Sequence, residues 1–231
     1  MNRFIRLTFG ENFIQEDFLI THIIGEKGIY APTSDEKITI YHNDLIIAEK
    51  ISVGLLYKND SSFEWASYSI PFRYFISAKS VIKIETNKPI INSALSGIVL
   101  IGKKETKTIK SFIKGINAGI DYKEKEIFDF SIKPFPNTIF ELKNIRAIYR
   151  AGDCVYHNNI ETESFLEMKS DNEEIIKDRI PLNLICDKPF FVSKELNIQI
   201  KNLLYIRGTE AKTIANQIVH PDFAFVFEIL K

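Results

Sequence analysis

Residues Ile70–Lys103 read IPFRYFISAKSVIKIETNKPIINSALSGIVLIGK, two apolar runs separated by a polar turn. The second run stops at Gly102-Lys103-Lys104. Branched and aromatic side chains at this density fit a pleated, half-buried surface, so the stretch predicts strand–turn–strand. The pattern returns near the C-terminus. Tyr74-Phe75-Ile76-Ser77 is answered by Phe190-Phe191-Val192-Ser193, and Ile82 and Ile84 by Ile198 and Ile200 at the same offset. Ile70-Pro71 precedes one copy and Ile180-Pro181 the other, and apolar runs, Ile98–Ile101 and Phe223–Ile229, close both. We read this as a weak internal duplication.

The same logic extends outward. Phe4–Phe9 alternates up to Gly10 and reads as a strand. Phe13–Ile24 suits either a short helix or, over Phe18–Ile24, a strand closed by Gly25. Lys37–Tyr41 is a strand, His42-Asn43-Asp44 a turn, and Leu45 opens a further apolar run. Strands at about ten-residue spacing with polar turns between them predict a sandwich, jelly roll or barrel. Farther on, Ile127–Ile132 is strongly apolar, Pro134-Phe135-Pro136-Asn137 forces a loop, and Ile139–Tyr149 supplies one or two strands.

Two segments depart from strand periodicity. Ile109, Phe112, Ile113 and Ile116 stand at i, i+3, i+4 and i+7, the stripe of an amphipathic helix, with Gly119 as its stop. In Gly208–His220, Thr209 can cap a short helix that puts Ile214 and Ile218 on one face. The expected fold is therefore all-β, with two tandem β-sandwich or jelly-roll units. They span residues 1–104 and 120–231, joined by a connecting helix at 105–119, and the second carries a short inserted helix.

At 231 residues the chain is long enough to hide about 70% of its unfolded surface. Apolar content of 45% and charged content of 26% place it among globular proteins rather than disordered ones. Thirty cationic side chains balance thirty acidic ones, which argues against a coat for phosphate backbones, although a local basic face is compatible. Cys154 and Cys186 fit either one bridge or two buried thiols; the latter is the expectation for intracellular folding. No signal-peptide pattern follows Met1, and no apolar run approaches the roughly 18 residues of a membrane span. A soluble, membrane-free protein made in a cytoplasm is expected.

Motifs for chemistry are sparse. His22, His42, His157 and His220 fall in none of the HxH, HxxxH or HExxH spacings that hold a metal. Cys154 and His157, beside Asp153, are three apart, which puts them on opposite faces if the segment is a strand. No GxGxxG or Walker motif is present to cradle phosphate, and the paired acids such as Glu161 and Glu163 read as solvated faces. No catalytic, metal or cofactor site is expected, and no enzyme. Lys103, Lys104, Lys107 and Lys110 form the densest cationic patch. Trp65, with nearby Tyr68, Phe72, Tyr74 and Phe75, supplies rings that stack on sugars if exposed and fill a core if buried. Trp65, the four lysines and Phe135 are thus the candidate interaction surface.

The positions Ile70-Pro71, Phe75-Ile76-Ser77-Ala78, Val81-Ile82-Lys83-Ile84 and Ser96-Gly97-Ile98-Val99-Leu100-Ile101-Gly102-Lys103 resemble a β-sandwich unit of bacteriophage virion structural proteins. The resemblance covers some 35 residues directly, with a fainter echo in the C-terminal half. It implies a capsid-like tandem or double jelly roll: a non-enzymatic capsid, vertex or collar-type component in the virion. Its partners would be other copies of itself and other virion proteins. The alternative is a carbohydrate-binding or adhesin-like sandwich with a glycan on Trp65.

Overall fold

The structure is a computed structural model. It describes residues 3–30, 35–57, 69–117, 127–151, 154–156, 165–171, 173–174, 179–182, 185, 190–191, 198–209, 211–212 and 218–230. The first half holds β1 (Arg3–Thr8), β2 (Gly10–Phe13), β3 (Phe18–Lys27), β4 (Lys37–His42), β5 (Leu45–Ser52), β6 (Ile70–Ile76), β7 (Val81–Thr86), β8 (Leu95–Lys103) and β9 (Ser111–Asn117). The second holds β10 (Ile127–Ile132), β11 (Phe140–Ala151), β12 (Cys154–Tyr156), β13 (Phe165–Ser170), β14 (Glu173–Glu174), β15 (Ile180–Pro181), β16 (Phe190–Phe191) and β17 (Gln199–Ile200). It ends in β18 (Leu204–Thr209), β19 (Ala211–Lys212) and β20 (Ile218–Ile229). The all-β reading holds.

Three sheets pack in layers. A central sheet runs β12-β11-β20-β9-β5-β4-β7-β2, with β16 and β17 also beside β11. One outer sheet has the order β1-β8-β3-β6, and the other runs β10-β18-β13, with β14 and β15 both beside β13. Alternation along the central strands shows which face each outer sheet covers. On β20, Ala224 and Val226 enter the core shared with the first outer sheet. Phe223, Phe225 and Phe227, on the opposite face, enter the core shared with the second. β9 divides the same way, Ile113 to one side and Phe112 to the other. The two cores therefore lie on opposite faces of one continuous sheet.

This layering corrects the expected connecting helix. Residues 111–117 form a strand, and no helix occupies the described part of 105–119. Both faces of β9 are covered, so its apolar residues do not alternate, and their spacing imitates a helical stripe. β9 joins the halves of the central sheet: it pairs antiparallel with β20 and parallel with β5, at Ala48↔Ile113 and Glu49↔Lys114. A side chain could not follow at position 115. A Cβ on Gly115 would stand 2.1 Å from the carbonyl oxygen of Lys50, a residue held at φ 51. The expected inserted helix is corrected likewise within the described residues. Gly208 and Thr209 end β18, Ala211–Lys212 is β19, and Ile218 opens β20, while 210 and 213–217 lie outside them.

The expected duplication has a partial counterpart in the wiring. In the first outer sheet β6 lies beside β3 with Ile70 opposite Ile23; in the second, β15 lies beside β13 with Ile180 opposite Leu166. Both Ile-Pro pairs thus begin the strand next to the third in line. The closing strands are matched differently from the sequence expectation. β18, not β20, takes the place of β8, and β20 follows it as β9 follows β8. The sequence carries this match, since Ile101, Glu105, Lys107, Thr108 and Ile109 recur as Ile206, Glu210, Lys212, Thr213 and Ile214 without a gap.

Candidate interaction surface

Strand register fixes what gathers at each end of the molecule. His42 pairs with Leu45 and with Ile82, so the β4–β5 turn lies at the end where β7 begins. Ser111 opens β9 opposite Glu228, and Phe140 opens β11 opposite Ile229. The β4–β5 turn, the start of β9, the approach to β11 and the end of β20 therefore meet. Between them lies a groove of about 660 Å³.

Its walls follow from local structure. Asn43 and Asp44 both have positive φ, 46° and 69°, which closes a two-residue hairpin turn. Leu45 and Ile46 then begin β5 at the rim, Leu45 with 67% of its surface exposed. Thr138 donates from both its amide and its hydroxyl to the carbonyl of Phe135, at 3.0 and 2.7 Å. That turn presents Phe135 with its ring edge-on to Phe140 at 5.2 Å. The Leu230 amide donates to the Ile139 carbonyl, and the Ile229 amide to that of Lys110. Leu45, Ile46, Phe135 and Leu230 are all exposed and all line this one groove. Clustered apolar exposure of this kind marks a contact surface, whereas single exposed apolar residues are ordinary. Asp44 and Lys110 bring one acid and one base to its lining.

Tyr74 also lines the groove and is itself buried. Its hydroxyl and His42 Nδ1 share a hydrogen bond at 2.9 Å, with the rings at right angles. Burial pushes the Tyr74 phenol up to about 12 and holds the His42 imidazole below its ordinary 6.5. Burial lowers His22 in the same way. Both histidines thus favour the neutral form in the fold. Their contribution to stability is complete above pH 6.5 and falls as pH drops from there towards the lowered values, because the unfolded chain protonates first. Urea midpoints are expected to decrease between pH 7.5 and pH 5. His42→Gln is expected to flatten that decrease, and an unchanged slope would remove His42 from the account.

Of the residues expected to form an interaction surface, the structure brings Lys110 and Phe135 together on the groove. Lys103 pairs with Glu105 at 2.7 Å, and Lys104 lies 3.7 Å from Glu16. The Lys103 ammonium, with Lys107 and Arg73 adding to it, holds the Glu105 carboxyl below the usual range. The cationic patch is thereby partly neutralised, and it sits on the end of β8 and the irregular segment that follows instead of on a helix. Trp65 lies outside the described residues. Sequence reading missed Leu45, Ile46 and Leu230. The available signal was an apolar run beginning directly after a two-residue turn, where a strand end overhangs its sheet. Among the described residues no group of three or more His, Cys, Asp or Glu could hold a metal ion, and no helix is long and apolar enough to cross a membrane.

Fold and surface together define an all-β protein of three packed sheets with an apolar groove at one end. No protein-family model matches the chain, and no curated protein matches it.

Proposed function

We propose that this chain is a virion structural protein of jelly-roll type, a capsid, vertex or collar-type component that acts by self-assembly and contacts with other virion proteins and not by catalysis. The observation that carries the reading is the wiring of β1–β8. They fall into two sets, ordered β1-β8-β3-β6 and β2-β7-β4-β5, that face each other across one core. Such an order is what the eight-strand, double-Greek-key connection of a jelly roll predicts, and it supports that reading; the architecture is found in viral capsid domains as well as lectins and cupins. The order β10-β18-β13-β15 repeats the outer set, which supports a second, abbreviated unit in tandem with the first. The exposed apolar groove favours assembly among the uses of this architecture, because repeated protein contacts draw their energy from such anchors.

Sedimentation velocity of the purified chain tests the proposal. Species heavier than the 26.7 kDa chain are expected to grow with concentration. A chain that stays monomeric at every concentration, and that enters no particle when made with its neighbouring gene products, would overturn it.

A further inference from the structure

The end of the first sandwich opposite the groove carries the converse feature. Lys37 pairs with Ser52, Ile38 pairs with Thr86, and Lys27 pairs with Leu95. The ends of β3, β5 and β7 and the starts of β4 and β8 therefore share that end, a full strand length from the β4–β5 turn. Two segments project there. Gly28 donates its amide to the Ala94 carbonyl at 2.7 Å, which holds Ile29 and the Ile90–Asn92 turn that leads into β8 at the same strand end. Ile29 is 93% exposed and Ile91 81%, with Ile90 exposed beside it. Bare branched residues at a turn cost solubility without helping the core, so their presence calls for a covering surface.

We propose that copies of this chain join head to tail, the Ile29, Ile90 and Ile91 knob of one copy seated in the Leu45, Phe135 and Leu230 groove of the next. The groove has the volume of cavities that enclose compact apolar bodies, about 300–1,000 Å³, which leaves room for a cluster of branched side chains. Charges fit the same arrangement. Asp44 and Lys110 line the groove, and the Asp35–Lys88 ion pair, 2.9 Å apart, lies by the knob, so each end carries one acid and one base that can exchange partners across the contact. Knob and groove lie at opposite ends of the β4, β5 and β7 strands, with Phe135 and Leu230 of the second half completing the groove. The contact is therefore heterologous and propagates, closing into a ring or continuing as a filament according to the rotation between copies. The inference rests on the self-assembly reading and goes further by naming the two faces that meet.

Full-length Ile91→Glu removes the knob and leaves a groove; Leu45→Glu does the reverse. Light scattering after gel filtration is expected to give the 26.7 kDa chain for each variant alone. An equal mixture is expected to give a species of twice that mass and no larger one, since one working knob meets one working groove. Leu230→Glu serves as a second groove variant, and thermal unfolding confirms that each variant is folded. If the wild type assembles and Ile91→Glu leaves its mass unchanged, the head-to-tail contact is wrong while self-assembly stands. Mass lost with Leu45→Glu alone puts another part of the neighbouring copy in the groove and also overturns it. A wild type that stays monomeric at every concentration removes the head-to-tail contact, and the virion reading falls with it if the chain also enters no particle.

Discussion

Arg146→Met is expected to cost about 3–5 kcal/mol of folding free energy, and Asp222→Val a similar amount. Both residues are buried, Arg146 at 1% exposure and Asp222 at 0%, on the central-sheet face that covers the first core. Arg146 lies opposite Ala224 and Ile148 opposite Asp222, so the two charges are diagonal neighbours across β11 and β20. Polar side chains surround them. Ser52 donates its hydroxyl to Asp222 at 2.6 Å, Asn117 is the cross-strand partner of Asp222, and Asn144 donates to the Pro71 carbonyl on β6. Removing either charge takes a nearby opposite charge away from the other, which stays buried. The double variant is expected to lose less than the sum, and urea denaturation of all three gives the coupling. Losses below about 1 kcal/mol in both single variants would show that the charges are compensated elsewhere.

The second large effect concerns the other face of the same strand. Phe225→Ala is expected to cost about 3–5 kcal/mol. Phe225 is fully buried, with the Phe223 ring centre 5.6 Å and the Phe130 ring centre 5.7 Å away. Strands from both sheets hold this cluster, so a cavity there cannot close by moving one side chain. Phe225→Leu removes fewer atoms and is expected to lose less. Phe191→Ala, at an exposed position on β16, is expected to stay within about 0.5 kcal/mol of the wild type. Thermal and urea midpoints compare the three. Equal losses for Phe225→Ala and Phe191→Ala would mean that the second core does not stabilise the fold.

Much of the sheet content was readable wherever one strand face meets a core and the other meets water. β6 alternates cleanly, with Ile70, Phe72, Tyr74 and Ile76 buried and Arg73 exposed. The turn at His42-Asn43-Asp44 and the loop before β11 were readable from their composition. β9 was not, because a strand covered on both faces has no period of two. Half of the candidate surface was also hidden. Phe135 and Lys110 stand out in the sequence, but Leu45 and Leu230 are ordinary apolar residues until the strand ends that carry them are placed side by side.

The sequence alone determined an all-β chain with a recurring Ile-Pro strand start and a near-neutral charge balance. These follow from local preference and composition, which need no knowledge of distant neighbours. Only the tertiary structure decided that the halves share one central sheet, that Arg146 and Asp222 are buried on it, and that an apolar groove and an apolar knob stand at opposite ends. The reason is physical. Periodicity records how many faces of an element are covered, while the identity of the cover comes from strands far away in the chain, as when β20 packs Ala224 and Val226 against the N-terminal core.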